Sequence, residues 1–503
     1  MSEGPRGAVA EPADVLVIGF GPVGATLTGL AAGYGLSVVA VDPSTELYPL
    51  PRAAHCDHEI LRILQQLGCA DEIVTAMRVN EGMDFLSASR EVLLRFQSRG
   101  LAPTGWPASV LFHQPGFEGA IRRAVAGTDA DVRLGAGVAA LDAGDDAVRA
   151  TLDDGSTVAA RYAVGCDGAR SMVRRAIGSG VHDLEFEEPW LVIDVVLREQ
   201  VPGLPDRALQ VCDPARPHTL VPMPWPRFRF EFMLLDGEDP DAMQQPDRAR
   251  ELMAAWIDPG AVDVERSAVY TFHGLVAERW RSGRVFLAGD AAHQMPPFLG
   301  QGMCSGMRDA ANLSWKLAAV LHDGAPDALL DTYQSEREPH VRTIVEQAVG
   351  FGRIICTTDA AVAAARDADL LAAPHDNDAA PTEPPPLNPL TPGPAIGPGG
   401  GALAAQPLVD GRRLDDLVGP RFLVATAEPM AAGDHDRLWW AHRAALFDAR
   451  STPEVGALLG SADAIVVRPD RYVFARGDLA PLTQAAQAVL ESAVPVHARQ
   501  RVR

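Results

Sequence analysis

The segment Asp14-Val15-Leu16-Val17-Ile18-Gly19-Phe20-Gly21-Pro22-Val23-Gly24 decides the fold. Its first five residues read as a β-branched strand buried on both faces. Gly19, Gly21 and Gly24 follow in G-x-G-x-x-G spacing. The first glycine permits a tight turn, the second lets the backbone approach a pyrophosphate, and the third lets a helix pack on the strand. Pro22 and Val23 open a small-residue helix that runs to about Tyr34, and its N-terminus faces the phosphate charge. Ser37 to Val41 is a second parallel strand ending at Asp42, with Pro43 beside it. Asp42, 18 residues after Gly24, is placed to accept hydrogen bonds from ribose hydroxyls. Alone, this unit indicates a dinucleotide, either NAD or FAD; the alternative is a glycine turn without a ligand.

Outward from this unit, composition narrows the choices. The chain has 503 residues, enough for two or three domains, with 47% hydrophobic and 22% charged residues, as in a soluble globular protein. Acidic residues outnumber basic ones 66 to 44, a formal charge of −22. That balance argues against a nucleic-acid partner, which needs a basic face. The six cysteines form no C-x-x-C pair, so neither a disulfide framework nor a metal site is expected, and a reducing cytoplasm is. No signal peptide is expected. Val15 to Val41 carries no charge over 27 residues, but six glycines and Pro22 break it into strand, turn, helix and strand. A membrane span is therefore not expected.

Helical patterns are expected around Asp57–Leu67, Phe117–Ala126 and Gly302–His322, with a hairpin at Asp153-Asp154-Gly155-Ser156. Alternation as in Phe228-Arg229-Phe230-Glu231-Phe232 implies an antiparallel sheet from Trp190 to about Leu235. Arg284 to Ala288 reads as another buried strand. Ala372 to Ala405, rich in proline, glycine and alanine, reads as a linker. Beyond it, Phe422–Thr426, Ile465–Val467 and Tyr472–Ala475 read as strands of a small α/β unit.

Two further motifs stand far from the first: Cys166-Asp167-Gly168-Ala169-Arg170-Ser171, and Gly289-Asp290-Ala291-Ala292-His293. The three together, in this order, resemble the class A FAD-dependent aromatic hydroxylases, the para-hydroxybenzoate hydroxylase class. Pro51-Arg52-Ala53-Ala54-His55-Cys56-Asp57-His58-Glu59, Trp190–Asp194 and Arg229–Leu234 are similar to its 3-(3-hydroxyphenyl)propionate hydroxylase branch, over most of residues 13–345. The resemblance implies a Rossmann-like FAD-binding domain interleaved with a substrate domain on an antiparallel sheet, followed by a small thioredoxin-like domain. The expected partition is 1–75, 111–185 and 276–371 for FAD, 76–110 and 186–275 for substrate, 372–405 as linker, and 406–503 as the terminal domain. That last domain lacks the Cys-x-x-Cys of redox work, so packing or assembly is its expected role.

The resemblance implies FAD as cofactor and NAD(P)H as a transient co-substrate, because no second glycine fingerprint is present. A small aromatic substrate and O2 complete the reaction, through a C4a-hydroperoxyflavin; a homodimer is left open. Asp290 would meet the FAD ribitol, and Asp167 with Gly168 would lie by the cofactor. The alternative for Asp290 is a helix cap. Gly289 is an FAD-binding candidate beside Asp290, and Pro297, Gly300, Gln301, Gly302 and Met303 at the start of a helix would face the isoalloxazine. Arg52 would lie near the pyrophosphate or nicotinamide, and Gln114 near the adenosine side. His55, Asp57 and Pro296 fall on the catalytic side; His55 and Asp57 would contact substrate or tune a phenol, or instead cap and anchor their loop. Met223, Trp225, Phe230, Phe232 and Phe298 are candidates for lining the substrate, although Phe228, Phe230 and Phe232 share a strand face that also reads as core. A natural-product tailoring oxygenase is the alternative function, and a non-catalytic flavin-binding protein the alternative of another class.

Overall fold

The computed structural model describes residues 11–47, 52–98, 100–372 and 387–491; Pro51, at the head of the quoted 51–59 motif, lies outside them. The β-branched opening forms the strand Ala13–Ile18, whose residues Val15 to Ile18 are almost wholly buried. It pairs in parallel with Val38–Asp42 on one side and Thr157–Gly165 on the other. Val285–Leu287 adds to Thr157–Gly165 and Asp131–Leu134 to Val38–Asp42, so motifs distant in sequence end at one sheet edge. The 153–156 turn closes an antiparallel hairpin, as expected.

The helices Pro22–Gly33 and Gly302–Leu321 pack together against this sheet. The second is the axis of the molecule: all residues from Cys304 to Ala319 are buried. Small and apolar residues contribute by burial, roughly 1.5–3 kcal/mol for each large side chain. Its charged residues are buried in pairs. Asp309 binds Arg337 Nε at 2.9 Å, and Lys316 binds Glu336 at 2.9 Å.

A second sheet of eight strands runs in the order His293–Gln294, Val262–Ala277, Val181–Leu197, Arg227–Met233, His218–Pro222, Ala208–Val211, Gly82–Leu86 and Val92–Gln97. It is antiparallel except where Ala208–Val211 meets Gly82–Leu86. The long strands Val181–Leu197 and Val262–Ala277 run through the expected 185/186 and 275/276 boundaries. Register sorts the sheet into two faces. Leu191, Ile193, Phe228, Phe230 and Phe232 join the separate core cluster that includes Met243 and Met253. The opposite, inner face carries Trp190, Val192 and Asp194, beside Arg229, Glu231 and Met233, and Arg266 and Tyr270.

Residues 387–405 correct the linker expectation for that part of 372–405, while 373–386 lie outside the described residues. Leu390, Ala395 and Ile396 are buried, and Gly397 N donates to Phe474 O at 2.8 Å. Glycine and proline mark backbone here that crosses closely over strand Val473–Gly477. The terminal unit is a four-stranded mixed sheet in the order Ala444–Asp448, Phe422–Thr426, Ala464–Val467, Val473–Gly477. The expected strands are present; Ala444–Asp448 was not foreseen. No single helix among the described residues is long and apolar enough to cross a membrane; only a pair bent by 113° passes on length and composition.

Candidate active site

The glycine turn is shaped by close approach. Gly19 has φ +100°, and a side chain there would meet Cys166 O at 2.4 Å. A Cβ on Gly24 would lie 1.9 Å from Gly19 O. Gly21 differs: nothing lies within 4 Å of where its Cβ would stand. Space is therefore kept open at the N-terminus of Pro22–Gly33, where backbone N–H groups and helix dipole favour an anion. Asp42 holds this turn in place. Its carboxylate accepts from Phe20 N at 2.6 Å and Ser44 N at 2.8 Å.

The other two motifs converge on the turn. Val23 lies against Gly289 and Gly306, and Cys166 against Gly19 and Gly24. Asp290 is half-buried in the 3-10 turn Gly289–Ala291, and its carboxylate makes no hydrogen bond or ion pair among the described residues. An unspent carboxylate beside an open helix terminus fits a polyol hydroxyl. Asp167 is the opposite case. Its oxygens accept from Ser171 Oγ at 2.5 Å, Met172 N at 2.6 Å and Val173 N at 3.0 Å. That carboxylate is consumed by capping a short helix, which leaves Gly168 as the motif's open position. Arg174, not singled out from sequence, spans the two motifs through the carbonyls of Ala169 and Ala291.

Gln114 Oε1 accepts from Arg52 N at 2.6 Å and Ala53 N at 2.8 Å. It shapes the 52–55 loop and leaves the Arg52 side chain exposed. Two residues expected on the catalytic side lie here, and their contacts are those of the capping and anchoring alternative. Asp57 caps the helix His58–Gln66 through Glu59 N and Ile60 N, and it accepts from Gln301 and pairs with Arg308. Burial pushes its carboxyl up, but Arg308, His58 and His55 hold it below the ordinary value, which favours the anion that Arg308 and Gln301 bind. His55 is bound on both ring nitrogens, by Gly300 O at 3.2 Å and Ser109 Oγ at 2.7 Å. Burial lowers its affinity for a proton, so it is neutral at pH 7 and anchors the loop.

Pro296 to Gly300 forms a turn ahead of Gln301, Gly302 and Met303. Phe298 is 2% exposed and packs edge-on against Trp190 at 5.5 Å between centroids. It also meets Phe272 and Phe186. The loop thus touches one end of the inner sheet face. At the other end, Arg229 Nη1 donates to Arg52 O at 2.9 Å. Between these contacts lies a buried polar strip. Asp194 accepts from Arg229 Nε at 2.7 Å and stands 2.7 Å from Arg266 Nε. Glu231 has Arg229 Nη1 at 3.6 Å, and burial raises its carboxyl above the usual range.

This strip corrects the expected lining. Phe230 and Phe232 point into the core on the far face, because the strand's two-residue period sends Arg229 and Glu231 inward instead. Trp225 is 59% exposed, and Met223 is buried. The signal for the inner residues was present: the polar partners of the Phe-x-Phe-x-Phe alternation. A cavity of about 490 Å³ lined by Phe186, Glu188, His273 and Arg353 adjoins this end of the site through Phe186 and contains neither Asp194, Arg229 nor Glu231. No cluster of metal-binding side chains occurs among the described residues.

The comparisons with known proteins agree with this geometry. The family model "FAD binding domain" matches residues 12–348. A protein of Rhodococcus jostii (strain RHA1), named probable NADH-specific resorcinol 4-hydroxylase, is 44% identical over 73% of this chain and 70% of its own length. The 3-(3-hydroxy-phenyl)propionate/3-hydroxycinnamic acid hydroxylase of Burkholderia cenocepacia (strain HI2424) is 32% identical over 94% of this chain and 96% of its own. Its namesake in Mycobacterium sp. (strain KMS) is 38% identical over 70% of this chain, and that match spans 62% of the Mycobacterium protein. In structure, the flavin-dependent monooxygenase PieE, solved with FAD and substrate, aligns over 96% of this chain and 100% of its own with TM-score 0.79 at 22% identity, which shows the shared fold. The chain belongs to the FAD-binding family of flavoprotein aromatic hydroxylases. It is an FAD-dependent monooxygenase acting on an aromatic substrate with NAD(P)H and O2.

Proposed function

We propose that the enzyme hydroxylates a neutral, dihydroxylated benzene ring of the resorcinol kind, with NADH as reductant. The observation that carries this reading is the charge balance of the inner sheet face. Arg229 and Arg266 are both engaged with Asp194. Glu231 supplies a second buried acid, so two arginines face two carboxyls. A carboxylate on the substrate would add an unmatched buried charge, which is costly. A phenolic hydroxyl suits this strip: Glu231 accepts a hydrogen bond from it, and Tyr270 lies on the same face. The relative named for resorcinol and NADH supports the choice.

FAD, when bound, supplies hydride acceptance from NADH and activation of O2. The chain's own residues would act as follows. The N-terminus of Pro22–Gly33 receives the pyrophosphate over Gly21, Asp42 remains able to accept from a ribose hydroxyl, and Asp290 accepts from the ribitol. The 296–303 turn meets the ring system with backbone N–H groups. Phe298, Trp190 and Phe272 would exclude water at one end of the inner sheet face. The exposed Arg52 stands at the mouth, where a nicotinamide nucleotide arrives. The six unpaired thiols support a reducing cytoplasm as the working compartment.

The test is NADH oxidation by the FAD-loaded protein, with product analysis, across resorcinol-type rings and phenols bearing a carboxylate chain. At least tenfold higher kcat/KM for the neutral rings is expected. A preference for the carboxylated phenols would overturn the substrate class. Stimulation by neither, in flavin-loaded protein, would overturn the hydroxylation reading itself.

A further inference from the structure

The terminal sheet is wired to the loop that the proposed function places at the flavin. The turn Arg468–Tyr472 enters the helical layer, and every member of the connection is buried. Tyr472 is 6% exposed, and its hydroxyl donates to Glu59 Oε1 at 2.7 Å. The other oxygen of Glu59 accepts from Arg308 Nε at 2.6 Å. Arg308 also pairs with Asp57 and donates to Gln301 Oε1 at 2.9 Å. Gln301 completes the ring by donating to Asp57 at 3.0 Å. Gln301 ends the 296–300 turn and starts the central helix, so its amide fixes where that backbone lies.

The same turn is held from behind. Arg468 binds Glu336 through Nη1 at 3.0 Å, and Asp470 accepts from Asn312 at 3.2 Å. Arg471 stands 3.2 Å from Asp415, which in turn binds Arg62 at 2.6 Å. A merely covering unit needs an apolar interface. This one has that apolar contact, Trp315 and Ala319 against Phe422 and Trp440, and in addition buries a chain of charges that is satisfied only when each partner is present. Removing the Tyr472 hydroxyl leaves Glu59 short of a donor. Arg308 then has reason to shift toward Glu59 and to slacken its hold on Gln301 and Asp57.

We infer that Tyr472 is a positioning residue for the 296–303 turn, acting through Glu59, Arg308 and Gln301, so that the terminal unit sets the geometry of the oxygenation site. The inference rests on the proposed placement of that turn at the flavin, but its first readout does not. In full-length Tyr472→Phe protein, hydrogen exchange in peptides covering 296–303 should rise at least tenfold over wild type, while peptides covering 13–18 exchange as before. In the FAD-loaded variant the visible flavin spectrum should shift, and the fraction of NADH coupled to product should fall at least threefold, with peroxide making up the difference. Unchanged exchange at 296–303 overturns the inference, whatever the melting temperature does. If Tyr472→Phe does not fold, Glu59→Gln, which keeps an acceptor for Tyr472 but weakens the hold on Arg308, is read by the same exchange measurement and the same criteria. Raised exchange with no turnover in either protein would count against the proposed function and not against this coupling.

Discussion

Arg174 donates to the carbonyl oxygen of Ala291 at 2.9 Å across 117 residues of sequence, and with its second amino group to Ala169. One guanidinium thereby fixes the Asp-Gly segment to the Gly-Asp segment. The fork geometry suits two carbonyls in a way an ammonium does not. Arg174→Lys should keep the charge and lose the joint, weakening FAD binding by about tenfold, on the order of 1.4 kcal/mol. Equilibrium titration with FAD measures this. An unchanged dissociation constant would show that the joint is dispensable.

Asp290 is the carboxylate left unspent where the motifs meet. Asp290→Ala should cut FAD affinity roughly 10- to 100-fold, as loss of a charged hydrogen bond of about 1.5–3 kcal/mol implies. The apoprotein's melting temperature should hardly move, because no described residue depends on that carboxylate. A large fall in apoprotein stability with normal FAD occupancy would make Asp290 a structural residue.

The two glycines of the first turn should fail differently. At Gly24 a methyl group meets Gly19 O at 1.9 Å, so Gly24→Ala should destabilise the apoprotein by several kcal/mol. At Gly21 a methyl group meets open space, and φ is −73°, which any residue adopts. Gly21→Ala should therefore fold normally and lose FAD. Thermal melts beside flavin absorbance separate the two outcomes. Equal behaviour of the variants would contradict the reading of the turn.

Acid should loosen the terminal unit through Glu336. Burial raises its carboxyl, but Arg468 and Lys316 bring it down to about 2 from an ordinary 4.5. A depressed native value means that the unfolded state binds more protons between those limits. Stability is thus present above pH 4.5 and lost as pH falls toward 2. The effect is on the order of 3 kcal/mol at 1.36 kcal/mol per unit. Glu336→Gln should lower stability at neutral pH, because it strands the buried Lys316 and takes from Arg468 one of its two carboxylates, and should flatten the acid slope. Denaturant melts from pH 6 to pH 3 measure both; an unaltered slope would contradict the assignment.

Much of the scaffold was legible because its signals are local. The β-branched run, the glycine spacing and the small-residue helix at 14–34 follow from short-range sterics, and the structure repeats them with shifts of a residue or so. The site was read less well where a residue's fate depends on distant partners. Asp57 and Asp167 both cap short segments; the donors to Asp167 lie within a few residues, but Asp57 also binds Gln301 and Arg308 more than 240 residues away. Glu231 and Arg266 went unnoticed because their meaning comes from strand register across the sheet. Tyr472 carried no signal at all, since its partner Glu59 lies 413 residues away. Residues 387–405 had the composition of a linker, yet backbone pairing to the terminal sheet fixes them.

The central claim is that this chain, with FAD, places one atom of O2 on a phenolic ring. Its most direct test is turnover of the FAD-loaded enzyme with NADH and resorcinol under ¹⁸O₂, followed by mass spectrometry of the product. One ¹⁸O atom in a trihydroxylated ring, at close to one product per NADH consumed, is the expected result. Flavin-loaded protein that consumes NADH and yields only labelled peroxide with every phenol tested would contradict the claim.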